Sequence, residues 1–205
     1  MRVHIALFAI VSVCTEAPGF AARSDPAGLT ITGTISAGET PNDFTQIVDL
    51  RTGFTKHIEQ MGPSTRQYGF NGQPWSAASG ILSVSNLPSA VAREATFAWI
   101  DRQAWRERMA GDRRTRRVVP PGGNPVALEF DPRSRLPRQA TVDGDWGPIV
   151  IKFSDWRRIG RLLYPFHREQ VEAAGERTTI KVRSARLAAT LSRRSLAPPD
   201  IRSHA

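Results

Sequence analysis

The chain has 205 residues, with 28 Lys and Arg against 19 Asp and Glu, for a formal net charge of +9. That length supports one domain whose core needs neither disulfide nor metal. Hydrophobic residues at 40% and charged residues at 23% set it among folded rather than disordered chains. The single cysteine, Cys14, excludes an intrachain disulfide and a cysteine-ligated zinc site. Lys56, Lys152 and Lys181 are the only lysines, and the arginines recur along nearly the whole chain. A nucleic-acid binder concentrates its charge on one stripe or helix, so no nucleic-acid partner is expected.

In chain order, Met1-Arg2 precedes an apolar run from Val3 to Cys14 that is too short to span a bilayer. Pro18-Gly19 and the small residues of Phe20-Ala21-Ala22 follow, which completes the three-part layout of a secretory signal. Residues 1–21 read as a signal peptide cut near Ala21, giving an exported, periplasmic protein. The cut removes Arg2 and Glu16, so the net charge is unchanged. Val11-Ser12-Val13-Cys14 also approximates the box before a lipid-modified cysteine, which leaves lipid anchoring through Cys14 as an alternative.

From Leu29 onward strand-type alternation dominates. Leu29, Ile31 and Ile35 point one way, as do Val126, Leu128 and Phe130, then Ile149, Ile151 and Phe153, then Ile180 and Val182, each set interleaved with other residues. Period two with one apolar face is what an antiparallel sheet with one packed side requires. Arg51-Thr52-Gly53, Asn71-Gly72, Asp131-Pro132, Asp143-Gly144-Asp145 and Ala174-Gly175-Glu176 punctuate these runs with turn chemistry, so the strands form hairpins and a meander.

Pro88 to Met109 breaks the pattern, with no internal Gly or Pro, and reads as the one main helix. Val91, Ala95, Ala98, Trp99 and Trp105 form one stripe, while Phe97, Ile100 and Ala104 fall opposite. Two stripes suggest a helix held between two surfaces, such as one lying in the mouth of a curved sheet. The alternative is that Phe97 and Ile100 are exposed or meet a loop. Residues 111–125 read as a Gly-, Arg- and Pro-rich loop. Its dense run Arg113-Arg114-Thr115-Arg116-Arg117 is a solvated loop in the plainer reading and a contact for anionic headgroups or a partner in the other. The domain spans 22–190, and 191–205 is expected to be an extended or disordered tail.

Several stretches carry a family resemblance: Val48-Asp49-Leu50-Arg51-Thr52-Gly53, Gly69-Phe70-Asn71-Gly72-Gln73-Pro74-Trp75, Phe130 to Pro137, Phe153 to Arg158, and Leu162-Leu163-Tyr164-Pro165. Their order resembles the outer-membrane lipoprotein-sorting and lipoprotein-carrier superfamily. They look closest to the N-terminal domain that precedes retropepsin-like aspartic proteases in bacteria. The resemblance covers roughly Leu29 to Leu187. It implies an incomplete β-barrel, mainly β with some α, in which a strongly curved antiparallel sheet is covered on its concave face by one main helix. It also implies an apolar groove that takes a lipid or the acyl chain of a lipoprotein. The chain has no Asp-Thr-Gly or Asp-Ser-Gly, so proteolysis is not implied.

Other chemistry finds no support. There is no Gly-x-Ser-x-Gly, and His57 and His167 read as structural or surface imidazoles. Alternation puts Glu169 on the face of His167 and Glu172 on the other, which makes no metal site. No cofactor or metal is expected. The groove contacts are assigned to Trp75, Phe97, Trp99 and Ile100, although plain core packing is the favoured reading for any single tryptophan. Headgroup or partner contacts are assigned to Arg113, Arg114, Arg116 and Arg117. The expectation is a non-enzymatic envelope protein that binds a lipid or acyl chain. The rival is an accessory, protein-interaction module with no open pocket.

Overall fold

The computed structural model describes residues 26–78, 81–84, 100, 115–119, 125–144 and 146–199. The alternating runs become strands: β1 (Gly28–Ser36), β2 (Asn42–Asp49), β3 (Thr55–Met61), β4 (Ser64–Phe70), β5 (Pro74–Ala78), β6 (Ile81–Val84), β7 (Thr115–Val118), β8 (Val126–Phe130), β9 (Pro137–Gly144), β10 (Gly147–Ile159), β11 (Leu162–Val171) and β12 (Arg177–Ala188). All belong to one antiparallel sheet in the order β6-β5-β4-β3-β2-β1-β12-β11-β10-β9-β8-β7. Two meanders, β1–β6 and β7–β12, thus meet along the β1–β12 pair. The outermost strands β6 and β7 do not pair, so the sheet is not closed into a barrel.

Turn chemistry does what its residues dictate. Asp49 Oδ1 accepts from the amides of Arg51 (2.8 Å) and Thr52 (3.2 Å) before Gly53 closes the β2–β3 turn. Asp131 Oδ1 accepts from the amides of Arg133 (3.0 Å) and Ser134 (2.7 Å) between β8 and β9. Among the described residues the ladder is interrupted at three places. Arg183 is an extra residue in β12 opposite Thr32 and Gly33, and the β8–β9 register shifts at Glu129/Phe130. Asp155, inside β10, has φ +52°, with Pro165 on the neighbouring strand lacking an amide hydrogen. Such interruptions bend a strand and increase local twist.

One face of the sheet carries the core, in two parts. On the β7–β10 side, Val118, Val126, Leu128, Phe130, Ala140, Val142, Ile149, Ile151 and Phe153 pack together with Ile100. On the β1–β2 and β11–β12 side, Leu29, Ile31, Phe44, Val48, Tyr164, Phe166 and Val182 form the second cluster.

Two expectations need correcting. Thr115 to Val118, read as part of a loop, is an edge strand paired with β8. Of its arginines, Arg116 is half-buried and Arg117 exposed. Residues 191–199, expected to be extended or disordered, dock on the sheet through a 3-10 turn at Arg193–Leu196. Leu196 is buried, the turn packs on β2 and β3, and Lys56 Nζ donates to the Ala197 carbonyl (3.0 Å). The apolar Leu191 and Leu196 fasten the tail, with Leu191 lying over Gly28. The expected covering helix, residues 88–109, lies outside the described residues apart from Ile100, and the described elements are strands and that one turn.

Candidate functional site

Register alone brings one row of side chains together on the core face. Ile31, Gln46, His57, Tyr68 and Ser76 are successive cross-strand partners from β1 to β5. Cross-strand partners point the same way, so this row changes from aliphatic to polar as it leaves the second cluster. The next row runs Gly33, Phe44, Glu59, Arg66. A Cβ on Gly33 would collide with the Lys181 carbonyl oxygen and stand 2.9 Å from the Phe44 ring. Glycine there lets Phe44 lie down over the backbone. Phe44 in turn stacks on His57 (centroids 4.9 Å apart, 12° between planes), and His57 stacks on Tyr68 (4.6 Å, 20°).

These residues border a cavity of about 480 Å³. Residues of β1, β2, β3, β4, β5, β10, β11 and β12 all line it, among them Ile35, Gln46, Thr55, His57, Glu59, Arg66, Tyr68, Ile151, Arg168, Gln170 and Ile180. A single pocket touched by so many strands of one sheet requires the sheet to curl around it. Its size lies within the range of small-molecule sites, roughly 300–1,000 Å³. The apolar groove expected from the resemblance is therefore split. The β7–β10 half of the face is filled by its own side chains, and the open half has a wall of mixed polar and apolar side chains.

The electrostatics of that wall are specific. Arg168 is only 7% exposed, donates from Nη2 to Gln46 Oε1 (3.4 Å), and sits over the Tyr164 ring at 5.5 Å. Arg66 lies over the Tyr68 ring at 5.5 Å. His57, 6% exposed, is held neutral: burial, then the positive charges of Arg168 and Arg66, lower its pKa to about 3. Its Nε2 and the Oγ1 of Thr55 are buried with no hydrogen-bond partner among the described residues. Asn42 Nδ2 donates to Glu59 Oε1 (2.8 Å) and Gln170 Nε2 to Glu172 Oε1 (3.0 Å), which engages both carboxylates of the lining.

Of the residues singled out from sequence, Trp75 is buried and borders the cavity, with its indole lying over Gly69 and Lys56 Nζ 5.8 Å from the ring. Ile100 is buried in the β7–β10 cluster. Phe97, Trp99, Arg113 and Arg114 lie outside the described residues. Arg116 and Arg117 lie on β7, with Arg117 Nη2 3.8 Å from Asp143 Oδ2, both exposed. His167 faces Glu169 (3.7 Å), as alternation requires.

Gln46, His57, Arg66, Tyr68 and Arg168 are not foreseen as a site by the sequence. The available signal is a polar residue in phase with apolar ones, as in Phe44-Thr45-Gln46-Ile47-Val48 and Tyr164-Pro165-Phe166-His167-Arg168.

No family model and no curated protein matches the sequence. Solved structures do match in shape. An outer membrane lipoprotein-sorting protein domain from Vibrio parahaemolyticus superposes with TM-score 0.56 at 8% identity, over 83% of this chain and 89% of that one. A LolA superfamily protein from Nitrosomonas europaea gives 0.54 at 9% identity, over 85% and 91%. A DUF1329 family protein from Desulfovibrio piger gives 0.56 at 9% identity, over 86% and 92%. The chain has the lipoprotein-sorting fold. Within that fold the cavity lies on the core face of the sheet, between the two apolar clusters.

Proposed function

We propose that this protein is an exported, non-enzymatic carrier of the cell envelope that holds a lipid or the acyl chain of a lipoprotein on the concave side of its sheet. The observation that carries the reading is a cavity of about 480 Å³ on the core face of a sheet with the lipoprotein-sorting fold. Binding needs no covalent step, since each buried methylene contributes about 0.8 kcal/mol. Trp75 borders the hollow, and Phe97, Trp99 and Ile100 are assigned with it as groove contacts. The arginines at 113, 114, 116 and 117 supply headgroup or partner contacts. Export through cleavage near Ala21 places the carrier in the periplasm. The rival reading, an accessory interaction module without a pocket, is less well supported because the hollow is open.

The test is native mass spectrometry of delipidated mature protein incubated with an N-palmitoylated peptide and with palmitate. A one-to-one adduct that dissociates on addition of excess lipid is the expected result. Failure to retain either probe, with the protein folded, overturns the reading. N-terminal sequencing of protein from the periplasmic fraction is expected to start close to residue 22.

A further inference from the structure

The connections of the sheet divide by charge according to the end at which they lie. Successive connections of an antiparallel meander alternate between the two ends. The β2–β3, β4–β5, β8–β9 and β10–β11 connections therefore share one end, together with the chain's exit from β12. The C-terminal turn stays beside that end, with Leu191 over Gly28 at the start of β1 and Ala197 held by Lys56 near the start of β3. Among the described residues these segments carry Arg51, Arg133, Arg135, Arg161, Arg193 and Arg194, all exposed, against one acid, Asp131. Asp131 is taken up by its own turn, where Oδ1 accepts from the Arg133 and Ser134 amides. Asp49, the last residue of β2, is engaged by its turn in the same way. At the opposite end, the described parts of the connections carry Glu39, Glu172 and Glu176 and no arginine or lysine. Beside them Arg177 opens β12 and Asp143 lies next to the β9–β10 connection. The chain thus has an arginine end and a glutamate end.

Apolar rings accompany the arginines. Phe54 in the β2–β3 connection and Phe70 at the end of β4 pack edge to face, with centroids 6.2 Å apart, and each is half-buried. Rings among cations at hairpin tips suit the headgroup region of a bilayer, where aromatics enter the interface and guanidiniums meet phosphates. We propose that the arginine end is a docking surface for an anionic membrane, with the glutamate end turned to water. The occupant follows from charge and spread. The cations stand on separate hairpins rather than around one pocket, which fits a wide layer of phosphates better than one small anion. The same layer repels the glutamates, and this sets the orientation. The docking surface stands whether or not the cavity takes a lipid, since none of the six arginines lines that cavity.

The experiment is co-sedimentation of the mature protein with vesicles of phosphatidylcholine alone and of phosphatidylcholine with phosphatidylglycerol, at low and at high salt. Binding is expected only with the anionic vesicles, and high salt is expected to abolish it. Arg51→Gln and Arg133→Gln, at exposed positions on two separate hairpins, are each expected to weaken it about fivefold. Lys152→Gln, which removes an exposed charge from the middle of β10, is expected to change it less than about twofold. Equal weakening by all three variants would mean attraction to net charge alone and overturns the docking surface. Equal binding to both kinds of vesicle overturns the anionic assignment. No binding to either overturns the proposal, and retention on polyglutamate in that case assigns the arginine end to an acidic protein instead.

Discussion

Arg168 on β11 donates to Gln46 on β2 across two intervening strands, β12 and β1. Neighbouring strands lie about 4.8 Å apart, so three intervals would separate their backbones by about 14 Å in a flat sheet. A 3.4 Å contact between the side chains reports the curl that makes the cavity. Gln46→Leu is expected to lower stability by about 1–3 kcal/mol in urea unfolding, because it removes an acceptor from a buried cation. In an Arg168→Met background the same change is expected to cost much less, as for contacting residues generally. Simple additivity of the two would show that the pair does not interact in solution.

Acid should weaken the fold before carboxylates begin to titrate. Native His57 protonates at about 3 rather than at the ordinary 6.5, so the unfolded chain takes up the proton first as pH falls. Stability from this group is complete above pH 6.5 and falls between 6.5 and 3, by at most about 1.4 kcal/mol per unit. Arg168 and Arg66 oppose the charged imidazole, and the Phe44 and Tyr68 rings cover both its faces. Asp131, held low by the Ser134 amide and hydroxyl, and Asp155, held low by Arg157, contribute their losses only at lower pH. Melting at pH 7 and pH 4.5 is expected to show a drop in the native protein that His57→Phe largely removes. An equal drop in both proteins would rule out a buried neutral imidazole.

Two glycines are required by close approach. A Cβ at Gly33 meets the Lys181 carbonyl oxygen, and one at Gly69 meets the Thr55 carbonyl oxygen and stands 2.8 Å from the Trp75 indole. Alanine at either position is expected to cost about 2 kcal/mol or more, since backbone must move. A Cβ at Gly38 would have nothing within 4 Å, so Gly38→Ala serves as a control within about 0.5 kcal/mol. Chemical denaturation of the three variants distinguishes them.

Trp146 tips the β9–β10 hairpin with 91% of its surface in water. Trp146→Ser is expected to leave the melting temperature unchanged while removing a red-shifted component of the tryptophan emission. A destabilised variant would mean that the indole is packed in solution.

Leu196 is the apolar anchor of the C-terminal turn. Leu196→Ala is expected to cost about 2 kcal/mol, at the low end for a buried leucine because the turn lies at the surface. Protease sensitivity should rise first near residues 189–199. Unaltered resistance and stability would show that the tail is not held by that side chain.

Much of the sheet is readable because its signals are local. Leu29-x-Ile31 and Ile149-x-Ile151-x-Phe153 carry period two in the residues themselves, and Asp131 or Asn71-Gly72 form their turns within four residues. The tail is not readable in this way: whether Leu191 and Leu196 find a surface depends on β1 to β3, distant in sequence. Edge strand β7 escapes a sequence reading because four residues rich in arginine lack an apolar period, and only pairing with β8 makes them a strand. Arg168 escapes it too, since arginines are common throughout, and its phase with Tyr164 and Phe166 is only a weak local mark.

Composition and alternation by themselves determined a mainly β, antiparallel, hairpin-rich domain, because hydrogen-bonded ladders with one packed side require that pattern whatever the topology. Only the tertiary structure decided that β1 meets β12 and that the sheet curls. The curl carries residues more than a hundred positions apart, His57 and Arg168, to one hollow, and the long-range packing that closes such distances leaves no trace in any short stretch of chain.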